Sequence, residues 1–162
     1  MTLNPPQMAE PADPLLPPTG LFAGGKFRYP LRVYFDDTDA GGIVYHANYL
    51  RWFERARSEM VRSFGVDQKS AILLGDGAYA VTDLAIRYLR PARLGDAIVV
   101  ENTVTAVRAA TWRVQQRAMR GPDLLAEAGV RIGFIDPDGK ARPQPAAWRK
   151  ALETVSTSES AS

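Results

Sequence analysis

One stretch of this chain keeps helical spacing throughout and nearly everything after it reads as strand, which leaves few ways to fold. Over residues 47–64 the apolar side chains Tyr49, Phe53, Ala56, Met60 and Phe64 recur at intervals of three and four, with Leu50 and Val61 beside them. Such a period predicts one long helix with a single apolar face. Arg51, Glu54, Arg55, Ser58 and Arg62 fall on the other side, as on a solvated face, and Gly65 is placed to end the helix. Upstream, residues 26–35 alternate Phe27, Tyr29, Leu31, Val33 and Phe35 with Arg28, Pro30, Arg32 and Tyr34, which predicts a half-buried strand. Pro30 has no N–H for a ladder, so that strand belongs near an edge or carries a bulge.

Downstream, residues 67–75 allow a shorter helix. Four β-rich runs follow at 79–89, 97–107, 111–119 and 124–135, parted by short turn segments such as Gly121-Pro122-Asp123, and Asp136-Pro137-Asp138-Gly139 closes the series. Connectors this short join antiparallel strands. The class is therefore α+β, a five-stranded antiparallel sheet with one long helix. One helix covers only one face, so either Arg113, Gln115 and Arg117 or the alternate Trp112, Val114 and Ala118 must meet water or another subunit. A homodimer or homotetramer is the expectation. The Pro-rich residues 1–25 read as a disordered arm, 26–148 as the folded domain and 149–162 as a flexible tail, with helix possible over 146–152.

Composition removes whole classes of function. With 162 residues the chain has room for one core, and 20 Lys and Arg scattered among 18 Asp and Glu give a formal charge of +2 with no basic run for nucleic acid. There is no cysteine, hence no disulfide, no thiol nucleophile and no thiolate metal site. No window approaches the ~20 apolar residues of a membrane span, and a cytoplasmic protein is expected. Gly20 to Lys26 approaches a phosphate-binding loop, but Phe27 stands where magnesium needs Ser or Thr.

The residues that look chosen for chemistry run from Asp36 to Tyr49, directly into the helix. Counted as a calcium loop from Asp37, position five is Gly41 and position twelve Asn48, so two ligands are missing, and a lone histidine is poor support for zinc. No metal is expected. Asp, Thr and Gly suit a turn, yet Val44-Tyr45 and the chain's single histidine, His46, at the helix entrance are not ordinary turn residues. A helix start offers unpaired N–H groups near His46 and Ala47 that can stabilise an oxyanion. A carboxylate folded back across from them, such as Asp39, can attack a carbonyl or deprotonate water. Together they make a minimal acyl-transfer site.

The run Val33-Tyr34-Phe35-Asp36-Asp37-Thr38-Asp39-Ala40-Gly41-Gly42-Ile43-Val44-Tyr45-His46-Ala47-Asn48-Tyr49, continued by Phe53-Glu54-Arg55-Ala56-Arg57-Ser58-Glu59-Met60, resembles the signature of hotdog-fold acyl-CoA thioesterases. It is most similar to the YbgC-like branch, encoded beside the Tol-Pal envelope system in many bacteria and related to 4-hydroxybenzoyl-CoA thioesterase. The resemblance spans Lys26 to Asp136. It implies a helix wrapped by a curled antiparallel sheet, and hydrolysis of acyl-CoA without any cofactor, coenzyme A being part of the substrate. It further implies that Asp39 is the catalytic carboxylate, as nucleophile or general base, and that the His46 N–H polarises the thioester carbonyl while its side chain assists. Tyr45, Asn48 and Tyr49 would meet the substrate, with Phe53 beside them, and sites would lie at subunit interfaces. Arg87, Arg90 and Arg93 cluster where a strand meets a turn, and Arg90 and Arg93 are candidates for the phosphates of coenzyme A. A rival reading is a non-catalytic hotdog module that binds acyl thioesters or an envelope-associated protein. A hotdog hydratase fits less well, because its Asp and His lie closer together with Pro before the His.

Overall fold

The computed structural model describes residues 13–157. Its elements are β1 (Leu21–Ala23), β2 (Lys26–Arg32), α1 (Asn48–Ser63), α2 (Gln68–Leu73), β3 (Ala78–Tyr88), β4 (Ala97–Val107), β5 (Thr111–Arg120), β6 (Asp123–Ile135) and α3 (Ala146–Val155). The strands form one antiparallel sheet in the order β1-β2-β4-β5-β6-β3. Register shifts at Val81/Asp83, Val104/Ala106 and Ala118/Met119 mark places where the strands bend, and the sheet curls around α1. This is the hotdog arrangement.

The period-two pattern decides which face meets the helix. Ile98, Val100 and Val104 of β4, Trp112, Val114 and Ala118 of β5, and Ala126, Ala128, Val130 and Ile132 of β6 are buried in the concave face. From α1 come Tyr49, Trp52, Phe53, Ala56, Met60 and Val61. The convex face carries an alternating charge row, in which Arg28 pairs with Glu101, and Arg117 and Arg87 both pair with Glu127. Of the two faces of β5, Arg113, Gln115 and Arg117 are the outward set.

Polar side chains also enter the core. Arg57 is only 7% exposed, and its Nη1 donates to Gln116 Oε1 at 2.8 Å while Nη2 reaches the Glu54 carboxylate on the surface. Gln116 Nε2 donates to the Phe53 carbonyl at 2.9 Å and to Asn102 Oδ1 at 2.8 Å. Burial lowers the Arg57 pKa from its ordinary value, against the opposing pull of Glu54.

Several boundaries differ from the sequence reading. β2 stops at Arg32, and Phe35–Asp37 is a 3₁₀ turn held by the Asp37 carboxylate accepting the Tyr34 N–H at 2.8 Å, so Phe35 is exposed rather than half-buried. Within the expected arm, Leu21–Ala23 is a sixth strand. Gly24 and Gly25, with φ of 61° and 75°, make the tight turn to β2, and the Phe22 ring sits against Phe27 and Phe64 at 5.2 and 5.3 Å. Pairing of β1 ends at Arg28, so Pro30 lies on an open edge as its missing N–H requires. Residues 1–12 of the expected arm and 158–162 of the expected tail lie outside the described residues. Between them and the domain, the expected tail continues as helix to Val155, because Trp148, Leu152 and Val155 share one face. Leu152 is fully buried, Trp148 packs on Tyr79 and Phe134, and the Thr157 N–H bonds Val104 O at 2.9 Å.

Gln116→Leu removes the acceptor of a buried guanidinium and is expected to lower stability by about 2–3 kcal/mol. Replacing Arg57, Gln116 and Asn102 together by apolar residues of similar volume is expected to restore or exceed the original stability, since desolvation of the charge is also removed. Denaturant midpoints of the two variants check both signs.

Candidate active site

Between β2 and α1 the chain makes a small hairpin that precedes the helix. Thr38 bridges Val44, the Asp39 N–H bonds Ile43 O at 2.9 Å, and the Tyr45 N–H bonds Asp37 O at 2.9 Å. Asp39 stands at its exposed tip, where its Oδ1 accepts the Gly41 N–H at 2.8 Å. Glycine is favoured at Gly42, whose φ is 80°, and a Cβ on Gly41 would press at 3.1 Å on Asp39 Oδ1.

The hairpin is fixed to its neighbours by backbone. Val44 N–H bonds Ala92 O at 2.9 Å and Ile43 bridges Arg93, which joins it to the loop between β3 and β4. Asn48, expected to meet substrate, braces the hairpin through Nδ2 to Asp37 O at 2.7 Å. That leaves α1 with no side-chain cap: Ala47 is the N-cap residue, and the backbone N–H groups of His46 and Ala47 find no acceptor among the described residues. Two adjacent donors thus stand free at the positive end of the helix.

Beside them lies an open groove lined by Ile43, Val44, His46, Tyr49, Tyr88, Leu89, Arg90 and Pro91. It gathers three of the expected residues, His46, Tyr49 and Arg90. Tyr49 is 2% exposed and forms the floor, with its hydroxyl accepting the Ala92 N–H at 3.3 Å and its pKa raised, chiefly by burial. Tyr45 is exposed and packs edge-on against the His46 ring at 4.5 Å. Asp39 is outside the groove lining, one hairpin strand away. Phe53 is wholly buried in the core. Of the arginines, Arg87 is held by Glu127 and Arg90 by Asp123 at 2.9 Å, while Arg93 forms no ion pair among the described residues. Tyr88 was not singled out by sequence. Its hydroxyl donates to His46 O at 2.7 Å, and its ring meets Tyr49 and His46 edge-on.

A curled antiparallel sheet around one helix is the hotdog layout, and here a hairpin bearing a carboxylate leads into an uncapped helix start. The chain belongs to the thioesterase superfamily, whose family model matches residues 41–127. It is 44% identical over 117 residues to the acyl-CoA thioesterase YbgC of Haemophilus influenzae, covering 72% of this chain and 85% of that one. It is 40% identical over 112 residues to the acyl-CoA thioester hydrolase YbgC of Escherichia coli O157:H7, covering 68% and 83%. Among solved structures, a 1,4-dihydroxy-2-naphthoyl-CoA thioesterase from Synechocystis superposes with a TM-score of 0.73 at 28% identity, over 78% of this chain and 95% of that one. Within the superfamily the chain is thus a YbgC-like thioester hydrolase.

The loop that supports the groove is itself pinned by Asp96. Its carboxylate accepts the Arg93 N–H and Arg120 Nη1, each at 2.9 Å. Burial pushes the Asp96 pKa up, but the bonds from Arg93 and Arg120 and their charges outweigh it and hold it below the ordinary 3.8. A carboxylate with a depressed pKa in the fold stabilises fully above its unfolded value and loses that contribution as pH falls through the folded one. The melting temperature of Asp96→Asn is therefore expected to lie below that of the unmodified chain at pH 7. The gap should close as pH falls below 3.8, which thermal melts across that range measure.

Proposed function

We propose that this chain hydrolyses acyl-CoA to a carboxylate and free coenzyme A, with Asp39 as nucleophile or general base and the His46 and Ala47 N–H groups as oxyanion donors. The observation that carries this reading is the uncapped start of α1, where two N–H groups without acceptors among the described residues stand at the edge of a groove that His46 lines, directly after a hairpin that exposes a carboxylate. A thioester carbonyl bound against those donors becomes more electrophilic, and charge that develops on its oxygen is stabilised by them and by the helix dipole. Asp39 then adds to the carbonyl carbon or takes a proton from the water that does so. Collapse expels the thiolate of coenzyme A, leaving the free acid where water attacked. Where Asp39 itself attacked, the acyl group stays on its carboxylate as a mixed anhydride, which water then hydrolyses to release the carboxylate product and restore Asp39. Water is the only other reactant, so the reaction calls for no cofactor.

The names of the relatives support acyl-CoA as the substrate class. Arg93, without an ion pair among the described residues, is the more available cation for the phosphates of coenzyme A, and Arg90 is freed at small cost because its pair with Asp123 is exposed. Tyr45 and Tyr49 supply aromatic surface for the acyl group. A homodimer or homotetramer belongs to the same reading. Its support is the open outer edge of β3, the exposed Val81 on that strand, and the exposed Tyr88 and Leu89 next to the groove. A cytoplasmic location goes with coenzyme A as substrate.

Release of free thiol from a panel of short, long and aromatic acyl-CoA esters tests the activity, and silence across the whole panel would refute it. Asp39→Asn is expected to lower kcat by roughly 10²–10⁴-fold, the usual worth of such a group, with the fold and substrate binding kept. Turnover retained by that variant would move the reacting carboxylate elsewhere.

A further inference from the structure

The two free donors at the start of α1 are held in different ways. The His46 N–H shares its peptide unit with the Tyr45 carbonyl, which accepts the Asn48 N–H at 2.9 Å within the turn itself. The Ala47 N–H shares its unit with the His46 carbonyl, and here the helix gives no help. The ordinary α-helical partner of that oxygen is the Leu50 N–H, but Leu50 bonds Ala47 O at 3.1 Å instead. Among the described residues the His46 carbonyl is left to one donor, the Tyr88 hydroxyl at 2.7 Å, which comes from the end of β3, 42 positions along the chain.

A peptide unit is rigid and planar, so fixing its oxygen fixes the direction of its N–H on the opposite side. A hydrogen bond at the carbonyl also polarises the unit and strengthens its N–H as a donor. We propose that Tyr88 is a positioning residue of the hydrolytic site, its hydroxyl setting the plane of the His46–Ala47 peptide and so aiming the Ala47 N–H at the thioester carbonyl oxygen. This rests on the acyl-transfer reading given above. The surroundings suit the role. The Tyr88 ring is set edge-on against Tyr49 at 5.4 Å and against His46 at 6.3 Å, so its hydroxyl is delivered from a braced position. A tyrosine hydroxyl is protonated at neutral pH and therefore a donor, and partial burial raises the Tyr88 pKa further. Without this contact the peptide has freedom to tilt, and one of two oxyanion donors loses its aim.

Tyr88→Phe keeps the ring and removes only the hydroxyl. Outright loss of an oxyanion donor lowers kcat by ~10²–10³-fold, and its misalignment is expected to lower kcat by roughly 10-fold, with KM little changed and the melting temperature held. In an amide NMR spectrum the Ala47 resonance should shift. Incorporating 4-aminophenylalanine at position 88, which restores a donor, should recover most of the turnover. Wild-type kcat in Tyr88→Phe, a change confined to KM, or an unmoved Ala47 amide would each overturn the assignment. Failure of the unmodified chain to hydrolyse any acyl-CoA would instead overturn the acyl-transfer reading and this assignment with it, so the two failures are told apart by the unmodified enzyme.

Discussion

The seating of α1 in the curl of the sheet is the constraint on which the rest depends. Apolar burial supplies the driving force, since Phe53, Met60 and Trp112 are at most 2% exposed and burial is worth about 25 cal/mol per Å² of apolar surface. That force has no direction and tolerates some sliding of the helix along its axis. Hydrogen bonds do not. Gln116 binds the Phe53 carbonyl of the helix backbone and the Asn102 side chain of the next strand, and Arg57 returns the chain of bonds to the helix surface at Glu54. The network joins α1, β5 and β4 at fixed points, so the position of the helix start is set from its middle.

That matters because the site is assembled from segments far apart in sequence. The hairpin before α1, the helix start and the loop between β3 and β4 are joined by backbone contacts from Val44 and Ile43 to Ala92 and Arg93. Asp96 then ties that loop to Arg120 of β5 and, through its carbonyl, to the Val33 N–H at 2.9 Å. A helix free to slide would carry its donors away from a groove whose other wall stays with the sheet. The buried polar network therefore belongs to the geometry of the site as much as to the core.

The long elements were legible because their signals are local. An alternating run buries every second residue whatever lies beyond it, and β4 falls on the expected 97–107. The parts that were hidden depend on partners. A three-residue strand amid Pro and Gly exists only because β2 offers an edge and Phe27 and Phe64 receive Phe22. The helix to Val155 rests on Leu152 entering the core, while its polar neighbours read as a tail. Arg57 carries a charge inside an apolar stripe, and only Gln116 across the interface explains it. In the site, Asp39 and the helix start were visible in a contiguous run. The bond from Asn48 to Asp37 O was hidden because it is a tertiary fact, and Tyr88 left no signal because its hydroxyl acts on a residue of another element.

The spareness of the site follows from the bond that this family of enzymes breaks. An amine leaves as a strong base and must be protonated as it departs, which in amide hydrolysis demands a well-placed general acid beside the nucleophile. A thiol has a pKa of about 8.5, so its anion departs near neutral pH with little assistance. What remains to be stabilised is mainly the charge on the carbonyl oxygen, and in the proposed mechanism two backbone donors at a helix end do that without any side chain whose protonation must be tuned. A single carboxylate then suffices on the other side. On the proposed mechanism, precision in this molecule is therefore concentrated in where two peptide units point. Asn48 and Tyr88 hold the oxygens of those same two units, one through the local turn and the other from across the sheet.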